Sequence, residues 1–323
     1  MPRPYQPGLT HVPKGRFSRV MNCILGQKGE TQICPETPSQ GGKLALVTGG
    51  TGGIGAEIVK GLSVRGADVI AAARGKAASA QTVEQWTQPG RGQISFLPLD
   101  LGDLAGIQAS IDEIARRWPG RKIDTLCANA GIWAQKYWQS KDGHEASFAI
   151  NCLGHHALIR GLQAQGMLAD DARIVGTTGD IYVLAKDCSE NFTFKGRGMA
   201  AYCRSKLGNL WQYRELAHRF PKLTVIAIHP GVVATNLEGS SEGLTGAIKR
   251  SIMISPKHGA QSSLIAATQD LPTGTYFHNK YGQMQLAEHD PAMDSAKARK
   301  FWNKLETLIP NETNTPAHAT IGA

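Results

Sequence analysis

Two side chains with acid–base chemistry lie four residues apart in the segment Tyr202-Cys203-Arg204-Ser205-Lys206. On a helix, this spacing places the phenol and the ammonium group on one face. Tyrosine normally titrates at about 10, and a nearby ammonium favours the tyrosinate, which moves the phenol toward a useful acid–base range. The same spacing is common on solvated helix faces, so its meaning depends on the rest of the chain.

A glycine-rich turn, residues 48–55 (TGGTGGIG), follows the strand-like segment 43–48 and precedes a helix predicted over 53–65. Glycines permit a tight turn and let backbone N–H groups approach a pyrophosphate, and the helix N-terminus favours anions. This context predicts cofactor contacts from Gly49, Thr51, Gly53, Ile54 and Gly55.

The next two strands predict how the adenosine end of a dinucleotide is held. The strand 67–73 is followed by Arg74, where NAD-binding folds place an acid for the ribose 2′-hydroxyl. An arginine pairs instead with a 2′-phosphate, which predicts NADP(H), although a solvated arginine is the alternative. Asp100 ends the third strand and Leu101 follows it, and both are expected to contact the cofactor. Asp100 either meets adenine or caps the next helix, as Asp103 also could.

Strands and helices alternate along residues 43–309. We expect strands at 43–48, 67–73, 93–100, 122–128, 172–178, 223–229 and 275–277. We expect helices at 53–65, 78–87, 104–118, 144–167, 199–220, 257–268 and 292–309. This alternation predicts an α/β fold with a doubly wound parallel sheet and helices on both faces. We divide the chain into an N-terminal arm (1–40), one Rossmann-type catalytic domain (41–312) and a flexible tail (313–323).

Four prolines occur in the first 13 residues of the arm, and a predicted amphipathic helix over residues 15–26 follows them. Its apolar face is formed by Phe17, Val20, Met21, Ile24 and Leu25. We expect this face to be buried on the catalytic body or a partner subunit, or else on a membrane surface, because Arg16 and Arg19 flank it.

Composition excludes several classes of protein. Of 323 residues, 41% are hydrophobic, which supports a large core and argues against a disordered chain. No apolar run approaches the roughly 18 residues of a membrane span, and no secretory signal is visible. The net charge is +9, but no Lys/Arg block indicates a nucleic-acid partner. Six scattered cysteines without a CxxC pair predict no metal site and a cytoplasmic protein with reduced thiols.

The motifs TGxxxGxG, NAG (129–131), an Asn-bearing helix, YxxxK and a Pro-Gly turn occur in this order. Their order resembles that of the short-chain dehydrogenase/reductase family over about residues 43–309. The segments 145–155, 201–207, 229–235 and 255–261 are similar to those of the retinol-dehydrogenase-like branch.

The resemblance implies a role for each matching position. Tyr202 would donate or accept the proton, Lys206 would hold the nicotinamide ribose, and Asn151 would kink its helix and support a proton-relay water. The residues expected to line the ribose are Asn129, Ala130 and Gly131. Those expected to bracket the nicotinamide carboxamide are Pro230, Gly231, Val233 and Thr235. The implied activity is NADP(H)-dependent interconversion of a lipophilic alcohol and its carbonyl compound. We also expect a homo-oligomer, and a pocket closed by residues 236–256.

One departure concerns catalysis, because the family's catalytic serine position falls on Gly179. We name Thr178 as the substitute hydroxyl, since Thr177 lies one pleat back and the Asp180 carboxylate would oppose tyrosinate formation. Asp180 could instead bind a hydroxyl or amine of the substrate. The missing serine also motivates an alternative function, an NADP-binding regulatory or scaffold protein with little turnover.

Overall fold

We describe the protein from a computed structural model. The structure describes residues 2–11, 16–36, 38–75, 77–185, 187–188, 198–234 and 253–309. Thr235 and most of the expected pocket-closing segment, 236–256, therefore lie outside the described residues, as does the expected tail.

A mostly parallel sheet forms the centre of the fold. The strands are β1 (Arg3–Pro4), β2 (Leu9–His11), β3 (Gln32–Ile33), β4 (Leu44–Thr48), β5 (Asp68–Ala73), β6 (Ile94–Pro98), β7 (Ile123–Ala128), β8 (Leu168–Thr177), β9 (Thr224–His229), β10 (Thr275–His278) and β11 (Gly282–Gln285). The main sheet has the order β2-β11-β10-β9-β8-β7-β4-β5-β6, and only the β10–β11 pair is antiparallel within the described part of the chain. From β4 the sheet grows on one side through β5 and β6 and on the other side through β7, β8, β9 and β10. This order makes the sheet doubly wound and confirms the predicted fold class.

Helices cover both faces of this sheet. They are α1 (Arg16–Ile24), α2 (Gln27–Glu30), α3 (Gly53–Val64), α4 (Ala77–Glu84), α5 (Leu104–Arg117), α6 (Ala146–Phe148), α7 (Gly154–Ala164), α8 (Gly198–Arg219), α9 (Pro256–Thr268) and α10 (Ser295–Leu308). On one face α3 packs against α9, and on the other α5 packs against α7 and α8 against α10. No helix in the described ranges is long and apolar enough to cross a membrane.

The long helix predicted over 144–167 is interrupted. It consists of α6, a π-helical segment at Ala149–Leu153 and α7. The π-helical turn shifts the backbone register and carries Asn151, and such turns are frequent at functional sites.

The arm is part of the fold, because β2 adds to the edge of the sheet beside β11 and α1 packs against the 3₁₀ turn Asp180–Leu184. The expected burial of the apolar face of α1 on the catalytic body is met only in part: Val20 packs against the core, but two other positions of that face are exposed. Arg19 and Cys23 are buried, whereas Met21 and Leu25 are 40% and 59% exposed. The periodicity of apolar residues could not reveal this, because the body offers charged partners to Arg19.

Candidate active site

The glycine turn between β4 and α3 is shaped by close contacts that exclude side chains. Gly49 has a φ of 67°, and a Cβ there would lie 3.1 Å from the Ala130 Cα. A Cβ on Gly55 would lie 2.1 Å from the Gly49 carbonyl oxygen, so only glycine fits. Thr51 and Ile54 are half-buried and Gly53 is exposed at the start of α3. This turn fits a pyrophosphate at a helix N-terminus.

Hydrogen bonds join this turn to the end of β7. The Thr48 hydroxyl accepts from the backbone N–H groups of Asn129 and Ala130, both at 3.0 Å. The Asn129 amide donates in return to the Thr48 carbonyl at 3.0 Å. A Cβ on Gly131 would lie 3.3 Å from Asn151 Oδ1 and 3.5 Å from Lys206 Nζ. Because Gly131 has no side chain, a ligand can approach Asn151 and Lys206 closely at this point.

The predicted adenosine contacts lie at the ends of β5 and β6. Arg74 is exposed, and no hydrogen bond or ion pair to it occurs among the residues that the structure describes. Asp100 accepts from the Gly102 N–H at 2.9 Å and does not cap α5. That cap is Asp103, which accepts from the Gly106 N–H at 3.0 Å. Leu101 is buried.

Asn151 is fixed by three hydrogen bonds. Its Oδ1 accepts from the Ile132 N–H at 2.8 Å, and its Nδ2 donates to the Ile132 carbonyl and the Ser205 hydroxyl, both at 2.9 Å. The Asn151 side chain therefore connects the loop after β7 to α8, three residues beyond Tyr202.

Lys206 lies beside the Tyr202 ring, with its Nζ 5.5 Å from the ring centroid. Burial lowers the pKa of Lys206 from 10.5 to about 8, and its Nζ donates to the Thr177 carbonyl at 3.3 Å. Tyr202 is half-buried, and its ring stacks on Trp133 at 6.0 Å between centroids. The Trp133 indole N–H is buried and lacks a hydrogen-bond partner within the described structure.

Gly179 occupies the position of the family's catalytic serine, here called the serine slot, and there is room for a side chain at this position. The backbone is extended there (φ −175°), and a Cβ would meet its nearest described neighbours at 3.8 Å (His229 Nδ1) and 3.9 Å (Ile181 Cγ2). Our choice of Thr178 as the substitute hydroxyl is not supported, because that hydroxyl donates to the Lys206 carbonyl at 2.9 Å. The Thr177 hydroxyl is the buried one that has no partner in the described structure.

Asp180, one residue beyond the slot, is the residue expected to bind a hydroxyl or amine of the substrate, but both of its carboxylate oxygens have partners within the protein. Its Oδ1 lies 2.9 Å from Arg19 Nη2 and accepts from the Tyr276 hydroxyl, while its Oδ2 lies 3.3 Å from His278 Nε2. Burial alone would raise the pKa of the Asp180 carboxyl, but His278 and Arg19 outweigh it and hold the pKa well below its usual range.

Cys23, His229 and His278 form a cluster whose donor atoms lie within 4.8 Å of one another. The two Nδ1 atoms accept backbone N–H groups, His229 from Asp180 at 3.1 Å and His278 from Lys280 at 3.0 Å. A neutral imidazole carries one proton, so both Nε2 atoms bear it and have no lone pair for a metal. The cluster is thus better described as a contact between the arm and the sheet, with His229 Nε2 2.8 Å from Cys23 Sγ.

The Pro-Gly turn after β9 is held by the arm. Gly231 has a φ of 90°, and a Cβ there would lie 2.9 Å from Gln27 Oε1. Gln27 is buried, accepts from the Val232 N–H at 2.9 Å and donates to the Val232 carbonyl at 3.3 Å.

Beyond that turn, Val233 pairs with Ile254 in a short parallel bridge. In this bridge the Ala234 N–H donates to the Ile254 carbonyl, and the Ile254 N–H donates to the Val232 carbonyl, both at 3.0 Å. This pattern leaves the N–H and C=O of Val233 on the opposite side, where they fit a carboxamide. Pro230 is buried at the start of this turn.

Sequence reasoning missed Arg19 and Gln27, which support the site from outside the recognised motifs. Their partners Asp180 and Val232 lie 161 and 205 residues away in the sequence. No local pattern indicates such pairs.

Comparisons with known proteins agree with this geometry. The sequence profile of the short chain dehydrogenase family matches residues 43–243. Retinol dehydrogenase 14 of Mus musculus is 30% identical over 292 residues, which cover 83% of this chain and 86% of that protein. Retinol dehydrogenase 13 of Homo sapiens is 29% identical over 298 residues, which cover 85% and 87%.

Solved structures share the fold. A crystal structure of an uncharacterized protein from Mycobacterium Paratuberculosis is 28% identical, with a TM-score of 0.68 over 84% of this chain and 94% of that one. A short chain dehydrogenase from Burkholderia cenocepacia in complex with NADP is 26% identical, with a TM-score of 0.59 over 76% and 99%.

Proposed function

The chain belongs to the short chain dehydrogenase family and is an oxidoreductase of CH–OH groups, and on that premise we propose its cofactor, its substrate class and its catalytic residues. The proposed reaction is the NADP(H)-dependent interconversion of a lipophilic alcohol and its aldehyde or ketone. The observation that carries the proposal is the buried Lys206 ammonium beside the Tyr202 ring, with Gly131 leaving access to both.

The nicotinamide supplies or accepts the hydride when the cofactor is bound. Tyr202 moves the proton at the substrate oxygen, and the Lys206 charge favours the tyrosinate form that accepts it. Asn151 holds the loop after β7 in place through Ile132. The Trp133 ring covers one face of the Tyr202 ring and helps to exclude water.

Several features support the choice of NADP(H). Arg74 is exposed at the end of β5 with its guanidinium unpaired within the described structure, so it is available to a 2′-phosphate. The related dehydrogenase from Burkholderia cenocepacia was solved with NADP. The glycine turn at 49–55 accepts the pyrophosphate, and Asn129, Ala130 and Val233 meet the ribose and the carboxamide.

The experiment is to follow NADPH oxidation with a panel of aromatic and terpenoid aldehydes, for the parent and for Tyr202→Phe. We expect Tyr202→Phe to lose nearly all kcat while NADPH affinity, measured by fluorescence, stays within about twofold. If the parent binds NADPH and turns over no carbonyl compound, the regulatory or scaffold alternative replaces the proposal.

Location and assembly remain proposals from the sequence: a cytoplasmic homo-oligomer. Peripheral membrane contact through residues 15–26 would have to use the exposed Met21 and Leu25, since Arg19 and Cys23 face the body. Sedimentation of the full chain with anionic liposomes tests that contact, and Met21→Ser with Leu25→Ser should abolish any binding it detects.

A further inference from the structure

The imidazole of His155 bridges the cofactor end of the sheet and the turn that carries Asn151. His155 lies at the start of α7, four residues after Asn151, and is buried. Its Nδ1 lies 3.2 Å from the Asn151 carbonyl oxygen, and its Nε2 lies 2.9 Å from the hydroxyl of Thr48, the last residue of β4. Thr48 and Asn151 are also buried, so both hydrogen bonds are made away from solvent.

The two partners determine which nitrogen of the His155 ring carries the proton. The Asn151 carbonyl can only accept a hydrogen bond, so Nδ1 bears the hydrogen and donates it. Burial lowers the pKa of His155 from 6.5 to about 4, although the hydrogen bond to Asn151 raises it. The imidazole is therefore neutral at pH 7, and its Nε2 has a lone pair that accepts the Thr48 hydroxyl proton.

The other contacts of the Thr48 hydroxyl leave its proton for His155. Its oxygen accepts from the N–H groups of Asn129 and Ala130, both at 3.0 Å. Within the described structure its proton has two acceptors in reach, His155 Nε2 at 2.9 Å and the Cys127 carbonyl at 3.4 Å, and the shorter contact is to His155. The imidazole thus supports the hydroxyl that holds the loop proposed to line the ribose.

The Asn151 turn is also held from α8. Asn209, which is buried and lies three residues after Lys206, donates through Nδ2 to the Asn151 carbonyl at 2.6 Å. The Asn151 side chain donates in turn to the Ser205 hydroxyl at 2.9 Å. The turn is therefore held by α7 through His155 and by α8 through Asn209 and Ser205. A change at the imidazole would alter the position of Asn151 relative to Lys206.

We propose that His155 is a positioning residue that couples cofactor binding to the catalytic geometry, acting as the neutral Nδ1–H tautomer between the Thr48 hydroxyl and the Asn151 carbonyl. This inference rests on the catalytic roles proposed above for Asn151 and Lys206. The two nitrogens serve different ends of the site, Nε2 the ribose-lining loop and Nδ1 the turn that presents Asn151. A side chain that replaces only one nitrogen should therefore disturb one end of the site.

Asparagine and glutamine separate the two nitrogens, because an Asn amide N–H can replace Nδ1–H and a Gln amide oxygen can replace Nε2. The measurements are NADPH affinity by fluorescence and kcat at saturating NADPH. We expect His155→Asn to weaken NADPH binding about fivefold with kcat changed less than about twofold, and His155→Gln to do the reverse. His156→Gln is the matched control, since His156 is buried next to His155 but bonds to Glu306, and it should change neither quantity.

A second measurement needs no turnover. Nitrogen-15 NMR of the full chain at pH 7 reports the tautomer of His155, whose ring signals are those lost in His155→Gln. We expect the Nδ1–H form in the parent, a shifted Nε2 signal in Thr48→Val and an unshifted one in Thr48→Ser, which keeps the hydroxyl. The double variant His155→Asn with Thr48→Val should bind NADPH no more weakly than Thr48→Val alone, because His155 acts on the cofactor through that hydroxyl.

Three results would overturn the proposal: an Nε2–H tautomer in the parent, equal changes of NADPH affinity and kcat in both His155 variants, or independent effects of His155→Asn and Thr48→Val on NADPH affinity. If the parent binds NADPH but turns over no carbonyl compound, the proposed function fails, and the tautomer and the NADPH affinities still decide the role of His155. If the His155 variants do not fold, the parent's tautomer and the two Thr48 variants decide it, because Thr48→Ser should keep the NADPH affinity that Thr48→Val loses.

Discussion

The Arg19 guanidinium and the Asp180 carboxylate form a buried ion pair, with 3% and 2% of the two side chains exposed. Arg19 belongs to the arm and Asp180 directly follows the open serine slot at Gly179. Arg19 also pairs with Asp290, and its charge lies 5.0 Å from the centre of the Tyr182 ring. The arm therefore supplies the cation that neutralises the segment beside the catalytic site.

Arg19→Met should destabilise the protein by about 3–5 kcal/mol, because it leaves two carboxylates buried without their cation. The free energy of unfolding from urea titration at pH 7 measures this. The loss should diminish at low pH, since Asp180, whose folded pKa is depressed, contributes stability that disappears as the carboxyl is protonated.

The double variant Arg19→Met with Asp180→Asn separates charge from packing. We expect it to regain part of the lost stability, because one uncompensated carboxylate is removed. Lys28→Met, an exposed cation of the same arm, serves as the control and should change stability by less than about 1 kcal/mol. A double variant less stable than Arg19→Met would contradict the electrostatic explanation.

Gln27→Ala should weaken NADPH binding by about tenfold. The loss should come only from contacts to the nicotinamide end of the cofactor. The variant loses both hydrogen bonds to the Val232 backbone, and the turn that offers Val233 to the carboxamide loses its support. Fluorescence titration with NADPH and with 2′-phospho-ADP-ribose, which lacks nicotinamide, measures the difference. Equal weakening of both ligands would mean that Gln27 acts only on overall folding. Lys28→Ala is the neighbouring control.

The repeating part of the fold was predictable because each strand–helix unit has its own local pattern. The strands from β4 to β10 were placed within a few residues by their apolar runs, and Gly49–Gly55 was identified from its position between strand and helix. The strands β2 and β11 were not predicted, since each is short and polar and the two pair with each other from opposite ends of the chain. Periodicity likewise did not reveal that α1 also buries Arg19 and Cys23, because their partners Asp180 and His229 are distant in the sequence.

The site was predictable where the chemistry is contained in one segment. Tyr202 and Lys206 share a helix face, and their proximity follows from spacing. The choice of Thr178 is not supported because its hydroxyl donates to the Lys206 carbonyl, 28 residues away in sequence. Alternation along a strand cannot predict such a contact.

Lys206→Met should abolish turnover and yet stabilise the apo protein by about 2 kcal/mol at pH 7. Burial lowers the Lys206 pKa from 10.5 to about 8. The protonated form of Lys206 is therefore less favourable in the folded state than in the unfolded state. The stability of the parent should therefore rise between pH 8 and 10.5, where only the unfolded state still binds the proton. The advantage of Lys206→Met should shrink below about 1 kcal/mol at pH 10. Urea titrations at pH 7 and 10 measure both effects, and an advantage that does not change with pH would contradict this account.

Arg74→Asp should erase or reverse the preference for NADPH over NADH. The substitution replaces a charge-assisted contact with the 2′-phosphate by repulsion. The ratio of kcat/KM values for the two cofactors is the measurement, and Arg91→Asp is the control because Arg91 is also exposed. Equal efficiency of both cofactors in the parent would refute the role of Arg74.

Gly179→Ser should raise kcat at least tenfold, with little change in the KM for NADPH. The extended backbone at this position suits any residue, and the nearest described atoms to a new Cβ are 3.8 Å away, so serine fits without displacement. The new hydroxyl would lie where the family's serine donates to the substrate oxygen, and such donors commonly contribute about 10²-fold or more in rate.

Gly179→Ala is the matched control, since it fills the same space without a donor. If water now occupies the slot and supplies the missing hydrogen bond, Gly179→Ala should lower kcat while Gly179→Ser raises it. Thr177→Ala tests the remaining buried hydroxyl and should reduce the parent's kcat only if that group reaches the substrate oxygen. Identical kcat values for Gly179→Ser and Gly179→Ala would show that the transition state does not use a donor at this position.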